Sequence, residues 1–272
     1  MKKEVLDYVL TFGPNVHAAL WGAASWETSV HSTGPSVIAN GPLAGRSLAE
    51  VMPGFPLLAK TIDARHCLSV QVHPNERTAI VAGGEPKTEM WCLLTDGPVY
   101  AGLRPGVSAA DVASAVESGR IEELLVRYDG KAGDAFFIPG GLVHTIGNGV
   151  KLYEVQQSSD TTFRFYDWGR VGADGRPRAL HIDAALAAMD LSLPPPVVQR
   201  DVSCEFFDFR QIGLDGCVDL PPSEKGYLLY AASGAMTAGG VALAEGVSAL
   251  VPPALACRLT GERARVFVTR VL

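Results

Sequence analysis

Three features of the sequence predict a mainly β chain, built as a sandwich or barrel with few helices. The 29 glycines and 18 prolines cut its 272 residues into short segments. Several of those segments have strand length and strand character, and patterns with a helical period are scarce. Along the chain the strand candidates are residues 68–73, 90–94, 135–139, 151–155, 206–209, 227–231 and 264–271. Helices are expected at 109–116, where Ser108 and Asp111 form a capping box, and at 121–128, with shorter ones at 75–82 and 181–189. These would decorate the sheets. The triple proline at 194–196 can continue neither regular structure, so a first lobe spans 1–195 and a second, smaller β-lobe spans 196–272.

A content of 47% hydrophobic and 19% charged residues excludes intrinsic disorder. The 23 Lys and Arg against 29 Asp and Glu leave a net charge of −6 with no basic run, so no nucleic-acid partner is expected. Cys67, Cys92, Cys204, Cys217 and Cys257 are odd in number, widely spaced and never in a C-x-x-C pair. They read as reduced thiols of a cytoplasmic protein. Glu4 and Asp7 interrupt the region where a secretion signal needs an apolar core, and Glu245, Pro252 and Pro253 interrupt the most apolar later stretch, so no membrane partner is expected.

The chemistry concentrates in three stretches. In the strand candidate at 68–73 a period of two sends Ser69, Gln71 and His73 to one face and Leu68, Val70 and Val72 to the other. Lys87 and Glu89 repeat the device. The third stretch carries Gly133, Pro139, Gly141, His144 and Asn148, which fit the second cupin motif, G-x5-P-x-G-x2-H-x3-N, at every fixed position. The first cupin motif, normally H-x-H followed by a glutamate, is present in altered form as Gln71-x-His73 with Glu89 beyond an insertion. The fold these motifs imply is a cupin double-stranded β-helix, or jelly roll.

Two imidazoles (His73, His144), one carboxylate (Glu89) and one amide oxygen (Gln71) make a donor set without thiolate. It suits a single Zn(II), and ligand type alone leaves Fe(II), Mn(II), Co(II) and Ni(II) open. His17, His31, His66 and His181 lie outside the motif and read as surface or packing residues. A fainter echo, Gly246-x5-Pro252-x-Ala254-x2-Cys257, repeats the spacing of Gly133 to His144 with cysteine in the place of histidine. It is either chance in a Gly/Pro-rich chain or a duplicated fold unit. A duplicate would have kept the turn chemistry and lost the ligand, leaving a degenerate cupin-like second lobe.

The block from Pro56 through Lys60, Ser69, Gln71 and His73 to Pro74, followed by Gly84-Glu-Pro-Lys87-Thr-Glu89-Met-Trp91, resembles the type I mannose-6-phosphate isomerases. Trp26-Glu-Thr-Ser, Asn40-Gly-Pro-Leu, the run from Tyr153-Glu154 to Arg164, and Tyr166-Asp-Trp168 extend the resemblance from about residue 21 to 182. The length is similar to that of the short bacterial form, with only Ala23-Ala24 between Trp21-Gly22 and Ser25-Trp26, where relatives carry more.

The resemblance implies that Gln71, His73, Glu89 and His144 are zinc ligands and that Lys60 and Ser69 hold a substrate phosphate. It also implies that Lys87, Glu154 and Arg164 are catalytic. The implied reaction interconverts mannose 6-phosphate and fructose 6-phosphate through an enediol(ate), so a small sugar phosphate is the expected partner. Glu154 and a hydroxide on the metal are both open as the proton-transferring base. The second lobe would be scaffolding or the surface of a homo-oligomer. The alternative from another class is a non-catalytic metal cupin that senses a sugar phosphate. An Fe(II) oxygenase is a further rival, and Gln71 in the place of the usual histidine weighs against it.

Overall fold

The computed structural model describes residues 6–172 and 175–272. Glu4, used above against a secretion signal, lies outside the described residues. Among the described residues strands dominate, as expected, and form three sheets. The chain divides into two compact units. One takes in the described residues up to Val16, Ser25–Lys60 and Arg200–Leu272; the other comprises His17–Ala24 and Thr61–Gln199. The chain passes between them within the strands Gly22–Thr28 and Leu57–Ala64.

In the unit that holds Thr61–Gln199, a five-stranded sheet runs in the order Phe163–Tyr166, Val70–Val72, His144–Ile146, Gly97–Leu103, Leu125–Gly130. Its pleat separates two environments. Val70, Val72 and Phe165 are fully buried against Val112 and Ala115 of the helix Ala109–Glu117 and Ala185 and Ala188 of the helix Ile182–Ala188. The opposite face carries the polar side chains. In a second sheet Glu89–Leu93 lies between Val150–Gln157 and Ala135–Ile138, with Trp91 facing Glu154 on one side and Phe136 on the other.

The helix at Ala109–Glu117 forms with its capping box: Ser108 Oγ accepts from the Asp111 amide at 3.2 Å and the Ser108 amide donates to Asp111 Oδ2 at 2.8 Å. The helix expected at 121–128 does not form. Only a single 3-10 turn, Ile121–Leu124, appears, and Leu125–Gly130 is a strand paired with Gly97–Leu103. Val126, Tyr128 and Gly130 alternate with Arg127 and Asp129, and that period-two pattern, satisfied by a neighbouring ladder, outweighs the local helical preference of Glu122–Leu125. At 75–82 only Ala79–Ala82 is α-helical, because Asn75 Oδ1 accepts from the amides of Arg77 and Thr78 and shapes the preceding turn.

The other unit is built on an eight-stranded sheet that includes the long pair Phe207–Leu220 and Cys257–Val271. The echo between the two halves of the sequence is visible as geometry. Gly133 and Gly246 both hold positive φ (96° and 82°), as do Gly141 (100°) and Ala254 (63°). Strands begin two residues after each glycine, at Ala135–Ile138 and Ser248–Val251. The Leu142 amide donates to Pro139 O at 3.1 Å as Leu255 does to Pro252 O at 3.3 Å, and His144 and Cys257 each open a strand. Ala254 holds a left-handed backbone that a residue with a Cβ rarely adopts, at the position where the first turn has Gly141. Cys257 is buried in an apolar cluster with Leu229, Val251, Leu259 and Val268, and burial pushes its thiol up to about 11. A protonated thiol in that setting packs as a small hydrophobe.

Candidate active site

Cross-strand register assembles the polar face. Antiparallel partners lie on the same side of a sheet, and Arg164 faces Gln71, which faces His144 on its other side. Ser69 and His73 flank Gln71 at a spacing of two. From the second sheet, Glu89 and Trp91 share a face, with Glu154 directly across from Trp91. The sequence-derived pattern of faces therefore holds in both sheets.

His73, Glu89 and His144 converge, and the ligand atoms they offer all lie within 4.8 Å of one another. His73 Nε2 is 3.4 Å from Glu89 Oε2, and His144 Nε2 is 3.5 Å from Glu89 Oε1. All three side chains are 1% exposed. The Nδ1 atom of His73 stands 2.8 Å from Thr161 O, and that of His144 2.8 Å from Leu142 O. A carbonyl oxygen only accepts, so each Nδ1 carries the hydrogen and each Nε2 presents a lone pair to the centre. Metal-binding histidines are commonly oriented in this way.

The loop that delivers His144 is held close to the one leaving His73. The Gly141 amide donates to His73 O at 2.7 Å. A Cβ on Gly140 would stand 2.7 Å from Pro74 O and 2.9 Å from Asn75 Cα, so only glycine permits this approach.

Burial, and then the Lys87 charge, push the His73 imidazole down to about 3, and burial also lowers that of His144. Both rings are thus neutral at neutral pH. Lys87 Nζ lies 2.8 Å from Glu89 Oε2 and 3.0 Å from His73 Nε2. Burial alone would lower the Lys87 pKa, but Glu89 and Glu154 outweigh it and raise the ammonium above its ordinary range. Burial would likewise raise Glu89, and Lys87 and then His73 override it and hold the carboxyl well below its ordinary value. The ionised Glu89 and the two neutral imidazoles make a donor set suited to a divalent cation.

Gln71 reaches the cluster with its amide turned. Its Oε1 accepts from Ser69 Oγ at 3.0 Å, and its Nε2 donates toward His144 Nε2 at 3.3 Å. Arg164 is half-buried; burial first and Arg178 second lower its guanidinium pKa, and its Nε makes no hydrogen bond among the described residues. Its amide donates to His181 Nδ1 at 3.3 Å, so His181 supports the strand that bears Arg164. Lys60 belongs to the other compact unit, where it is 7% exposed with Nζ 5.3 Å from the Trp26 ring centroid.

Sequence reasoning gave no role to Trp91. Its indole Nε1 donates to Glu89 Oε1 at 3.0 Å and to Glu154 Oε2 at 3.1 Å, and its ring meets His144 edge-on at 5.3 Å between centroids. The signal was available, since Trp91 lies two residues from Glu89 on a strand and a buried indole N–H needs an acceptor.

No family model matches the sequence. The chain is 34% identical over 236 residues to mannose-6-phosphate isomerase ManA of Bacillus subtilis, covering 75% of this chain and 73% of that protein. It is 37% identical over 184 residues to the mannose-6-phosphate isomerase of Streptococcus mutans, covering 62% of this chain and 58% of that one. The crystal structure of mannose 6-phosphate isomerase from Bacillus subtilis superposes with a TM-score of 0.88 at 23% identity, over 97% of this chain and 99% of that one. A variant of phosphomannose isomerase from Salmonella typhimurium gives a TM-score of 0.72 at 16% identity, over 97% and 100% of the two chains. The two structures show the shared cupin fold. The sequence relationship to the first relative, across most of both chains, shows that this chain belongs to the type I mannose-6-phosphate isomerase family.

Proposed function

We propose that this protein is a zinc-dependent aldose–ketose isomerase that interconverts mannose 6-phosphate and fructose 6-phosphate. The observation that carries the reading is the convergence of His73, Glu89 and His144 on one buried point beside Lys87, in a chain whose relatives bear this isomerase name. The binding-only alternative is not favoured, because no matched relative named above is a sensor.

His73, Glu89 and His144 would hold the ion, with Gln71 as the fourth donor after a half-turn of its amide. A bound divalent ion supplies Lewis-acid stabilisation to the negative charge that develops on the O1/O2 pair as the carbon proton leaves. Lys87, kept cationic by Glu89 and Glu154, adds hydrogen-bond donation and positive charge at the same developing oxyanion. An ammonium so held is a poor general base, which leaves Glu154 as the side-chain candidate for moving the proton between C2 and C1. Arg164, on the same face as Gln71, supplies a second cation. Lys60 and Ser69 are proposed as phosphate-binding residues on the strength of the sequence resemblance. The Ser69 hydroxyl donates to Gln71 Oε1; after the half-turn the Gln71 amide NH2 would face it instead, and its hydrogen would be free for a phosphate oxygen, which accepts.

The test is a coupled assay with mannose 6-phosphate on zinc-replete and EDTA-treated protein. Turnover in the first and its loss in the second are expected. A replete protein that binds the sugar phosphate without converting it would overturn the catalytic reading.

A further inference from the structure

The geometry points to Trp91 as a positioning residue whose single indole N–H ties a metal-binding carboxylate, Glu89, to the carboxylate proposed to move the proton, Glu154. We infer that this shared hydrogen bond fixes the orientation of both groups at once.

Trp91 is fully buried, and its strand register pairs it with Glu154 on one side and Phe136 on the other. A buried indole has one donor, which ordinarily finds a hydrogen-bond partner. Here the N–H is divided between two carboxylate oxygens from adjacent strands, at 3.0 and 3.1 Å. Two buried carboxylates close together repel, and the indole offers both a donor without neutralising either. Glu89 Oε2 meets Lys87 and His73, so Trp91 governs the other oxygen, Oε1, the one nearer His144. Losing a partner that orients a ligand from behind typically costs about 10- to 100-fold in metal affinity or activity. The edge-on contact between Trp91 and His144 adds a second restraint on the same set.

The inference rests on the proposed metal site and isomerase activity, and its test separates the three. Trp91→Phe keeps the ring and removes the donor. The zinc affinity of this variant, measured by chelator competition and without substrate, is expected to fall about tenfold or more. In a double-mutant cycle at saturating zinc, which removes the effect of Glu89 on occupancy, Trp91→Phe and Glu154→Gln each lower kcat, and the combined free-energy loss is clearly smaller than the sum of the two. A merely structural tryptophan would give additive losses. A third measurement needs no change at Trp91: with the four tryptophans 15N-labelled, Glu154→Gln is expected to shift one indole N–H resonance in the metal-free protein. Unchanged zinc affinity in folded Trp91→Phe, additive effects on kcat, or the absence of any indole shift would each overturn the inference. Should the wild-type protein show no turnover, the isomerase reading falls while the affinity and the resonance still decide the role of Trp91.

Discussion

Arg164 stands directly opposite Gln71 in the antiparallel pairing of Phe163–Tyr166 with Val70–Val72. The register puts a guanidinium on the same face as the proposed metal ligands without making it one of them. Replacing it should therefore separate chemistry from metal binding. Arg164→Met is expected to retain wild-type zinc content and to lose about 100-fold in kcat, the scale of a lost electrostatic donor. Metal analysis alongside steady-state kinetics checks this, and a variant that loses zinc would place Arg164 among the groups that build the metal site.

The buried histidines make the metal-free protein acid-sensitive. His73 is held down to about 3 against an ordinary value of 6.5, and His144 is lowered as well. Between those values the unfolded chain binds more protons than the folded one, so stability falls as the pH falls through that window. For His73 alone the loss between pH 6.5 and 4 is on the order of 3 kcal/mol. Glu89 adds loss in the same direction below its ordinary 4.5. Lys87, whose pKa is raised, contributes stability that disappears only as the pH rises through its folded value, so it does not offset the acid loss. Urea unfolding of EDTA-treated protein at pH 7 and pH 4 measures the difference, and equal midpoints would contradict the burial of neutral imidazoles.

Gly140 is a packing test at the same centre. A Cβ there meets the backbone of Pro74 and Asn75, immediately beyond His73. Gly140→Ala is expected to destabilise the fold by about 1–3 kcal/mol and to weaken zinc binding in parallel. Denaturation and chelator competition on one preparation read both effects, and an unaltered zinc affinity would show that the loop spacing does not set the site.

Lys60 carries the phosphate assignment. Since the phosphate is remote from the reacting carbons, Lys60→Ala should mainly raise KM and leave kcat little changed. Steady-state kinetics decides, and an unchanged KM would remove Lys60 from the substrate site.

Much of this was legible in the sequence because both relevant periods are short. Alternation by two correctly separated Ser69, Gln71 and His73 from Val70 and Val72, and the glycines and proline between Gly133 and His144 specified a turn that the structure contains. The turn at Gly246–Cys257 shares positive φ at its first and third marker positions, and the Pro O to Leu N–H bond, with that at Gly133–His144. What was not legible depends on partners distant in sequence. Leu125–Gly130 is a strand because Gly97–Leu103 lies beside it, which no local pattern announces. Which amide atom Gln71 turns inward depends on Ser69 and His144 together. The role of Trp91 needs Glu154, a residue from another strand, to appear at all.

Zinc titration into EDTA-treated wild-type protein and Glu89→Ala, with occupancy and turnover of mannose 6-phosphate followed together, tests the metal-dependent isomerase most directly. A single ion per wild-type chain, turnover rising in step with occupancy, and neither in Glu89→Ala are the expected results. Full occupancy in Glu89→Ala, or turnover in the wild type that ignores zinc, would contradict the account.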